Sequence, residues 1–436
     1  MSNPYTTRIL SDIEYLSDGS TLQFAIEFTT AIEGTSSIIN FSDHGIEIID
    51  HGKVSWDYDY EERLLTPCST KLKLADTEGY LYNLIFSTTT IGAATEKRFK
   101  VEILLNGGYQ FSGYTLEDDV IYRTSEKTIE FSASPRSDIL NNAGIYNNLG
   151  FPLDPIGYGS AGLNNYRSVL EIINDAFVLI NPSIVGTINH DWLFKDSDGT
   201  ENITIDSLFI KPSQFYDHPT WKAGSVGDIL KTIAIGFHAK IGVISERRYF
   251  FEKLGYYSTS NTQPLLALEH EISLKYSIIK YLNLSCNIPD YGTYILEMPN
   301  SSYYTTMETA RVYYDVPFIG IQGAGWNGNL LTHVAPIRFC WGAYDPNVWR
   351  DGNPFPDIFP LGAGYYNTHY AAGMSYWLYR KDPKNQIVHK FKCSGVTYEV
   401  DKTCLCDGAY YQVISMIKDW EKETTDIETI YCAAAT

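Results

Sequence analysis

The chain has 436 residues, 44% of them hydrophobic, and a formal charge of −19 from 52 acidic against 33 basic side chains. That length predicts two to four packed units with real cores, which excludes a disordered protein. The acidic balance, with no cluster of Lys or Arg, excludes a protein that grips nucleic acid through its phosphates, because such affinity comes largely from displaced counterions.

The opening MSNPYTTRIL has no basic start followed by an apolar run, and no stretch reaches the roughly 18 to 20 apolar residues of a membrane span. Neither a signal peptide nor a membrane-spanning segment is expected. Aromatic residues make up 14%, led by 34 Tyr, a composition that suits strands and interfaces, where a ring is buried and its hydroxyl stays wet. The seven cysteines, Cys68, Cys286, Cys340, Cys393, Cys404, Cys406 and Cys432, are odd in number and scattered, so a reducing interior is expected. The Asn-x-Ser/Thr triplets at Asn202, Asn283 and Asn300 then carry no meaning.

In chain order, the alternation from Thr21 to Phe28 reads as the first strand. Ile46 and Ile48, then Val54 and Trp56, predict a hairpin around Asp50-His51-Gly52. Lys71 to Leu74 is another strand, and Tyr80 to Phe86 is either a short helix or a crossing strand. Phe99, Val101 and Ile103 alternate up to Asn106-Gly107-Gly108, which supplies the positive φ of a tight turn, and Tyr109, Phe111 and Gly113 return. Asp119 to Tyr122 and Thr128 to Ala133 complete a twisted antiparallel meander, the stretch around which the rest is organised. With six or seven strands by Ala133, a small barrel or sandwich is expected.

From Pro135 to about Leu254 the character changes. Asn165 to Ile180 places Val169, Ile172, Ile173, Ala176 and Phe177 at helical spacing. Ser225 can cap a second helix with Val226, Ile229, Leu230 and Ile233 on its apolar face, and Gly236 can end it. Lys240 to Ile244, a turn at Glu246-Arg247-Arg248, and Tyr249 to Phe251 then form a hairpin. From Leu265 the strands resume at Ile272 to Tyr276, Tyr281 to Ile288 and Tyr294 to Leu296. They resume again at Ile387 to Cys393, Val396 to Val400, Tyr410 to Ile417 and Thr429 to Cys432. Between them, Pro317 to Tyr379 is a Gly-, Pro- and Trp-rich run of the kind that makes contacts.

Tyr411-Gln412-Val413 and Thr429 to Ala433 echo Tyr109-Gln110-Phe111 and Thr128 to Ala133, the pattern of a duplicated β unit. The expected fold class is therefore mainly β with a smaller α+β part, two similar antiparallel β-barrel domains flanking an α+β domain. Its divisions are 1–134, 135–264 and 265–436, the last with an insertion at about 317–379.

Chemistry has no visible carrier. Gly157 to Gly162 matches G-x-G-x-x-G, but Pro152 and Pro155 occupy the place of the strand that a dinucleotide loop requires. His270-Glu271 begins like a zinc-protease helix, yet position 274 is Leu, so the pair reads as a solvated strand end. Asp196-Ser197-Asp198-Gly199 lacks the acidic residue a calcium loop needs at Phe194 and reads as a hairpin turn. Cys393, Cys404, Cys406 and Cys432 are the sharpest metal candidate. Zinc needs sulfurs a little under about 4 Å apart, whereas residues i and i+2 of a strand stand roughly 6.6 Å apart, so buried free thiols are expected instead. Glu117, Asp118 and Asp119 could pair as glycosidase carboxylates, but in so acidic a chain such neighbours arise by chance. No catalytic, cofactor-binding or metal-binding residue is therefore expected, and the chain reads as a non-enzyme.

The segments KRFKVEILLNGGYQFSGYTLEDDVIY, TIEFSASPRSDILNNAG, NNYRSVLEIINDAF, SVGDILKTIAIGFHAKIGVISERRYFFEKL and YQVISMIKDWEKETTDIETIYCA, in that order, resemble phage tail-tip or baseplate hub proteins. The resemblance implies a structural virion protein, assembled in the host cytoplasm as a homotrimer. Its two barrels per subunit would match a hexameric tail tube on one side and a threefold tip on the other. It implies tail tube and tail-tip or fibre proteins as partners, and no cofactor. The acidic charge fits a channel that DNA traverses without sticking. Two other readings are an adhesin, with Trp326, Trp341, Trp349 and Trp377 as sugar-stacking platforms, and a tail-borne polysaccharide- or peptidoglycan-degrading enzyme.

Overall fold

The structure, a computed structural model, describes residues 7–28, 37–59, 63–86, 99–115, 120–135, 167–180, 185–189, 194–195, 202–203, 208–210, 225–236, 239–245, 248–274, 281–288, 292–299, 311–315, 321–323 and 387–435. It is mainly β, as the sequence leads one to expect, with a smaller helical part. The β structure starts earlier than the alternation indicates, because β1 (Thr7–Leu10) pairs antiparallel with β2 (Thr21–Phe28) and carries β3 (Ser37–Asn40) on its other side.

The next two strands, β4 (Ile46–Asp50) and β5 (Lys53–Asp59), form where expected but do not make the expected hairpin. Gly52 turns the chain at φ 67°, against the Lys71 carbonyl, where an added Cβ would meet the oxygen at 1.9 Å. That turn carries β5 out of the first sheet. It pairs instead with β6 (Leu64–Pro67), and the chain then returns as β7 (Thr70–Asp76) beside β4. Alternation alone cannot distinguish the two outcomes, since it reports which face is buried and not which neighbour is paired.

The apolar knot is a helix, α1 (Tyr80–Phe86), because the Asp76 carboxylate accepts the Leu81 and Tyr82 amides at 3.2 and 2.8 Å. Then come β8 (Phe99–Leu105), β9 (Gly108–Thr115), β10 (Val120–Arg123) and β11 (Thr128–Pro135). Asn106 and Gly107 turn the first pair at φ 51° and 75°. Both β9 and β10 lie along β11, so the meander has the expected sense. The order β3-β1-β2-β8-β9-β11-β7-β4 curls into a half-barrel around Phe24, Ile26, Val101, Ile103, Phe111, Leu72 and Phe131, all at most 1% exposed.

The helical part comprises α2 (Val169–Ile180), the short strand β12 (Val185–Asn189), and α3 (Val226–Gly236) leading into β13 (Ala239–Ser245) and β14 (Arg248–Lys253). Ser225 caps α3 through reciprocal bonds with Asp228, its amide donating to Oδ2 at 2.6 Å and its hydroxyl oxygen accepting the Asp228 amide at 3.3 Å. Every residue of β13 is buried, since the hairpin is covered on both faces. Tyr249 packs on Phe177 of α2 at 5.8 Å between ring centroids, while Ile244, Phe250 and Leu254 join the β core. Gly242 is the residue that lets the Phe250 ring lie flat on the strand, for a Cβ there would be 1.9 Å from it.

The last strands are β15 (Thr262–Pro264), β16 (Ala267–Leu274), β17 (Ile387–Ser394), β18 (Thr403–Cys406), β19 (Ala409–Asp419) and β20 (Thr424–Ala434). They complete a second sheet ordered β12-β14-β13-β6-β5-β19-β20-β17-β16, with β15 and β18 attached beside β19. Strands from residues 53–67 thus sit in its middle. Val396 to Val400, expected as a strand, is not one. Val396, Tyr398 and Val400 are buried, but the Gln263 side chain accepts the Glu399 amide at 2.8 Å and donates to its carbonyl at 2.8 Å, replacing a ladder. The strand expected at Ile272 to Tyr276 begins earlier, at Ala267, and residues 275–276 lie outside the described ones.

Leu274 pairs with Ile387 at the end of the β16–β17 ladder, so residues 275–386 leave and re-enter the sheet through adjacent strand ends. Within them, Tyr281–Ile288, Gly292–Pro299 and Arg311–Asp315 form a separate three-stranded sheet. Replacing residues 275–386 by a short Asn-Gly turn removes the pairing of Ile321–Gly323 with Leu208–Ile210 but is expected to leave a soluble protein with both large sheets, its unfolding temperature within a few degrees of the intact chain. Circular dichroism and a thermal melt check this; an aggregated or molten product would show that the sheet needs the insertion.

Candidate functional site

Among the described residues no group of three or more His, Cys, Asp or Glu side chains is arranged to hold a metal ion. The groups that could carry function are a buried polar seam, a charged sheet face and an exposed sheet edge.

The seam is built by the two Tyr-Gln steps that echo each other in the sequence. Gln110 is the bulged residue of β9, unpaired between Tyr109 and Phe111, and its side-chain oxygen accepts a hydrogen bond from Lys418 Nζ across the boundary between the sheets. Lys418 is 1% exposed and lies 5.6 Å from the Trp56 ring and 5.8 Å from the Trp420 ring. Burial pushes its ammonium pKa down to about 7.

Gln412 of β19 is not bulged but pairs with Ile430, and it stands four residues after Gly408 where Gln110 stands three after Gly107. Its side chain donates to Glu252 Oε1 at 2.8 Å and to the Lys253 carbonyl at 3.0 Å, and accepts the Gly255 amide at 2.8 Å. Glu252 is in turn paired at 2.9 Å with Lys240, which is wholly buried and also donates to the Val413 carbonyl at 2.6 Å. Burial raises the Glu252 pKa, and the neighbouring ammonium pulls it back. Both strands follow a two-residue turn of positive φ, Asn106-Gly107 in one case and Asp407-Gly408 in the other. Each also lies between its hairpin partner and a strand containing a Thr-Ile step, Thr128-Ile129 or Thr429-Ile430.

A cleft of about 510 Å³ opens where the Asn106 turn meets β13 and β14, lined by Tyr109, Ser245, Arg248 and Thr397 among others. Its cation is spoken for, since Arg248 donates to Glu399 at 3.0 Å and to Asp401 at 2.6 Å. The solvent face of the second sheet is acidic. Rows of Glu269 and Glu271, Lys390 and Lys392, then Asp426 and Glu428 run across β16, β17 and β20, and Lys53 and Asp57 extend the face onto β5. Lys390 meets Glu428 at 2.7 Å and Lys53 meets Asp419 at 2.9 Å, which leaves carboxylates in excess.

Cys393, Cys404 and Cys432 are buried, Cys406 is partly so, and all four are free thiols. Burial pushes Cys393 and Cys404 up to about 12, which disfavours the thiolate that a metal requires. Cys404 and Cys406 stand on one strand, β18, and Gln263 Nε2 donates to Cys404 Sγ at 3.3 Å. The side chains of Cys286, Cys340, Trp326, Trp341, Trp349 and Trp377, the Gly157 to Gly162 loop, Asp196 to Gly199 and Glu117 to Asp119 lie outside the described residues.

One pairing has no signal in the sequence. His270 on β16 and His389 on β17 bring Nε2 and Nδ1 to 3.1 Å, and His270 stacks on Phe391 at 4.3 Å. The two are 119 positions apart and only the strand register joins them. Leu266, Leu268 and Ile272 beside them are more than half exposed.

No protein-family model matches the sequence, and no characterised protein sequence matches it. Solved structures do. The 43 kDa tail protein of prophage MuSo2 from Shewanella oneidensis matches at TM-score 0.43 and 11% identity, over 88% of this chain and 97% of that one. A tail protein from Neisseria meningitidis MC58 matches at 0.40 and 8%, over 88% and 95%. The prophage tail protein gp18 from Listeria monocytogenes EGD-e matches at 0.40 and 8%, over 87% and 88%. With TM-scores below 0.5, these likenesses assign no function by themselves.

Two substitutions probe the seam. Glu252→Ala strands Lys240 without a counter-charge and is expected to cost about 3–5 kcal/mol, whereas Lys240→Met with Glu252→Leu recovers most of it. Equilibrium denaturation of the three proteins decides; equal loss in single and double variants would mean that packing and not charge is at stake. Lys418 titrates near 7 in the folded chain against about 10.4 unfolded, so between those values the unfolded chain holds the extra proton. Stability therefore rises with pH across that window, by on the order of 1 kcal/mol per unit at most. The difference between wild type and Lys418→Met, followed from pH 6 to 10, should show that slope; parallel curves would count against it.

Proposed function

We propose that the chain is a structural protein of a bacteriophage tail, the trimeric hub that joins a hexameric tail tube to a threefold tip. The observation that supports this reading is the like strand order β8-β9-β11 and β18-β19-β20, although β9 meets β11 at only two positions and β19 meets β20 along most of its length. In each, a two-residue turn leads into a Tyr-Gln strand, and the glutamine contributes to the polar seam. Three subunits offer six like surfaces to a tube only if each carries two β units of like build, here assigned to 1–134 and 265–436 around an α+β unit at 135–264. The strands β5 and β6, lent by the first unit to the second sheet, would hold the two units in fixed relation, as a ring demands.

The charge is consistent with such a place. An acidic sheet face repels phosphate, which suits the wall of a channel along which DNA must slide without adhering. In this reading the partners are two further copies of the chain, the tail tube and tail-tip or fibre proteins, and the protein resides in the virion and has no enzymatic role. The insertion is tied back to the α+β part through Ile321–Gly323, which pairs antiparallel with Leu208–Ile210.

A hub interface is obligate, on the order of 2,000 Å² or more, and rich in Tyr and Trp. Mass photometry and sedimentation of the full chain are expected to give a trimer, and images of the particle a ring at the end of the tube. A monodisperse monomer at high concentration, together with a particle lacking the ring, would overturn the assignment.

A further inference from the structure

We propose that His270 and His389 form a two-ligand site for a divalent transition-metal cation of the Cu²⁺, Ni²⁺ or Zn²⁺ type, near the end of the β16–β17 ladder where the insertion departs. Two metal–nitrogen bonds of about 2.0 to 2.1 Å, at angles between square and tetrahedral, hold their nitrogens about 2.9 to 3.4 Å apart. His270 Nε2 and His389 Nδ1 stand 3.1 Å apart. The separation already matches that bite.

The rings are held for the task. His270 stacks on Phe391 at 4.3 Å, and His389 leans on Tyr411 at 5.0 Å. Thr429 Oγ1 donates to the His389 carbonyl at 3.2 Å and fixes the strand beneath. The register sets the pair diagonally across the ladder, with His270 opposite Phe391 and Ile272 opposite His389. Without metal the same contact is a hydrogen bond in which one imidazole N–H donates to the other ring. Metal binding replaces that hydrogen: the donor ring carries its proton on the far nitrogen instead, both rings stay neutral, and no proton is released.

Imidazole nitrogens suit copper, nickel and zinc, and disfavour magnesium or calcium, which require oxygen. Among the described residues no third ligand converges on the pair, so water or a donor from another chain fills the remaining positions. Glu269 and Glu271, the nearest carboxylates in sequence, alternate with His270 and project to the opposite side of the sheet. A chelate here would pin β16 to β17 two rungs from Leu274 and Ile387, where the insertion departs. The proposal stands apart from the tail reading and does not depend on it.

Isothermal titration of the untagged full chain with Cu²⁺ and with Zn²⁺ is expected to show one saturable site per chain. His270→Gln and His389→Gln should each weaken it by more than about tenfold, the loss that even an outer partner of a metal ligand causes. Both variants lie at a half-exposed edge, and their melting temperatures in the absence of metal verify that they fold. In the unaltered protein, zinc should shield His270 and His389 from carbethoxylation, mapped by mass spectrometry, while His44 and His51 react as before. Absence of saturable binding, binding that survives both substitutions, or protection confined to other histidines would each overturn the assignment.

Discussion

The structure turns on a charge pair buried between the helical part and the second sheet. Lys240 and Glu252 face each other on the hairpin β13–β14, sealed on one side by two helices and on the other by β19. Taking both ions out of water costs several kcal/mol each, and their attraction offsets that only if the remaining donors and acceptors are also met. Gln412 and the Val413 carbonyl supply those partners from the far end of the sequence. The α+β hairpin and the C-terminal sheet can therefore close together in one register only, because a slip of one residue would bury an ammonium against apolar side chains.

Lys418 and Gln110 repeat the logic at the other boundary with less charge. Here the cation is met by one amide oxygen and two indole faces, a weaker environment than a carboxylate, and its proton affinity falls accordingly. One joint is a carboxylate–ammonium pair, and the other a lysine whose pKa burial lowers to about 7. Two similar strands thus serve two different joints, and the difference comes from what each neighbour offers.

Much of this architecture was legible in the residues, and the failures share a cause. Alternation located β2, β7, β8 and β19, the Ser225 cap located α3, and Asn106-Gly107 located the central turn. Period-two patterns report which side of a strand is apolar, but partners are chosen across the whole chain. Ile46, Ile48, Val54 and Trp56 therefore looked like a hairpin and became members of different sheets. Val396, Tyr398 and Val400 alternate like a strand, yet the Gln263 side chain takes the backbone's hydrogen bonds. Nothing in the sequence marks Lys240 and Lys418 as interior, because only the covered second face of their strands makes them so. The histidine pair left no local trace, since strand register alone joins it.

The excursion of β5 and β6 into the second sheet has a consequence for the order in which the chain can be made. Residues 53–67 leave the ribosome early, but β5 finds its neighbour β19 only when residues 409–419 have been synthesised. At about 5–20 residues per second, that leaves Val54, Trp56 and Tyr58 without their final cover for on the order of tens of seconds. The half-barrel can curl in the meantime, with an unfinished two-stranded arm protruding from it. Such an arm is an open edge available to any other nascent chain, and polysomes crowded with copies of this message would bring those edges together. The same threading that fastens the finished molecule makes its newborn form the one that most needs a chaperone.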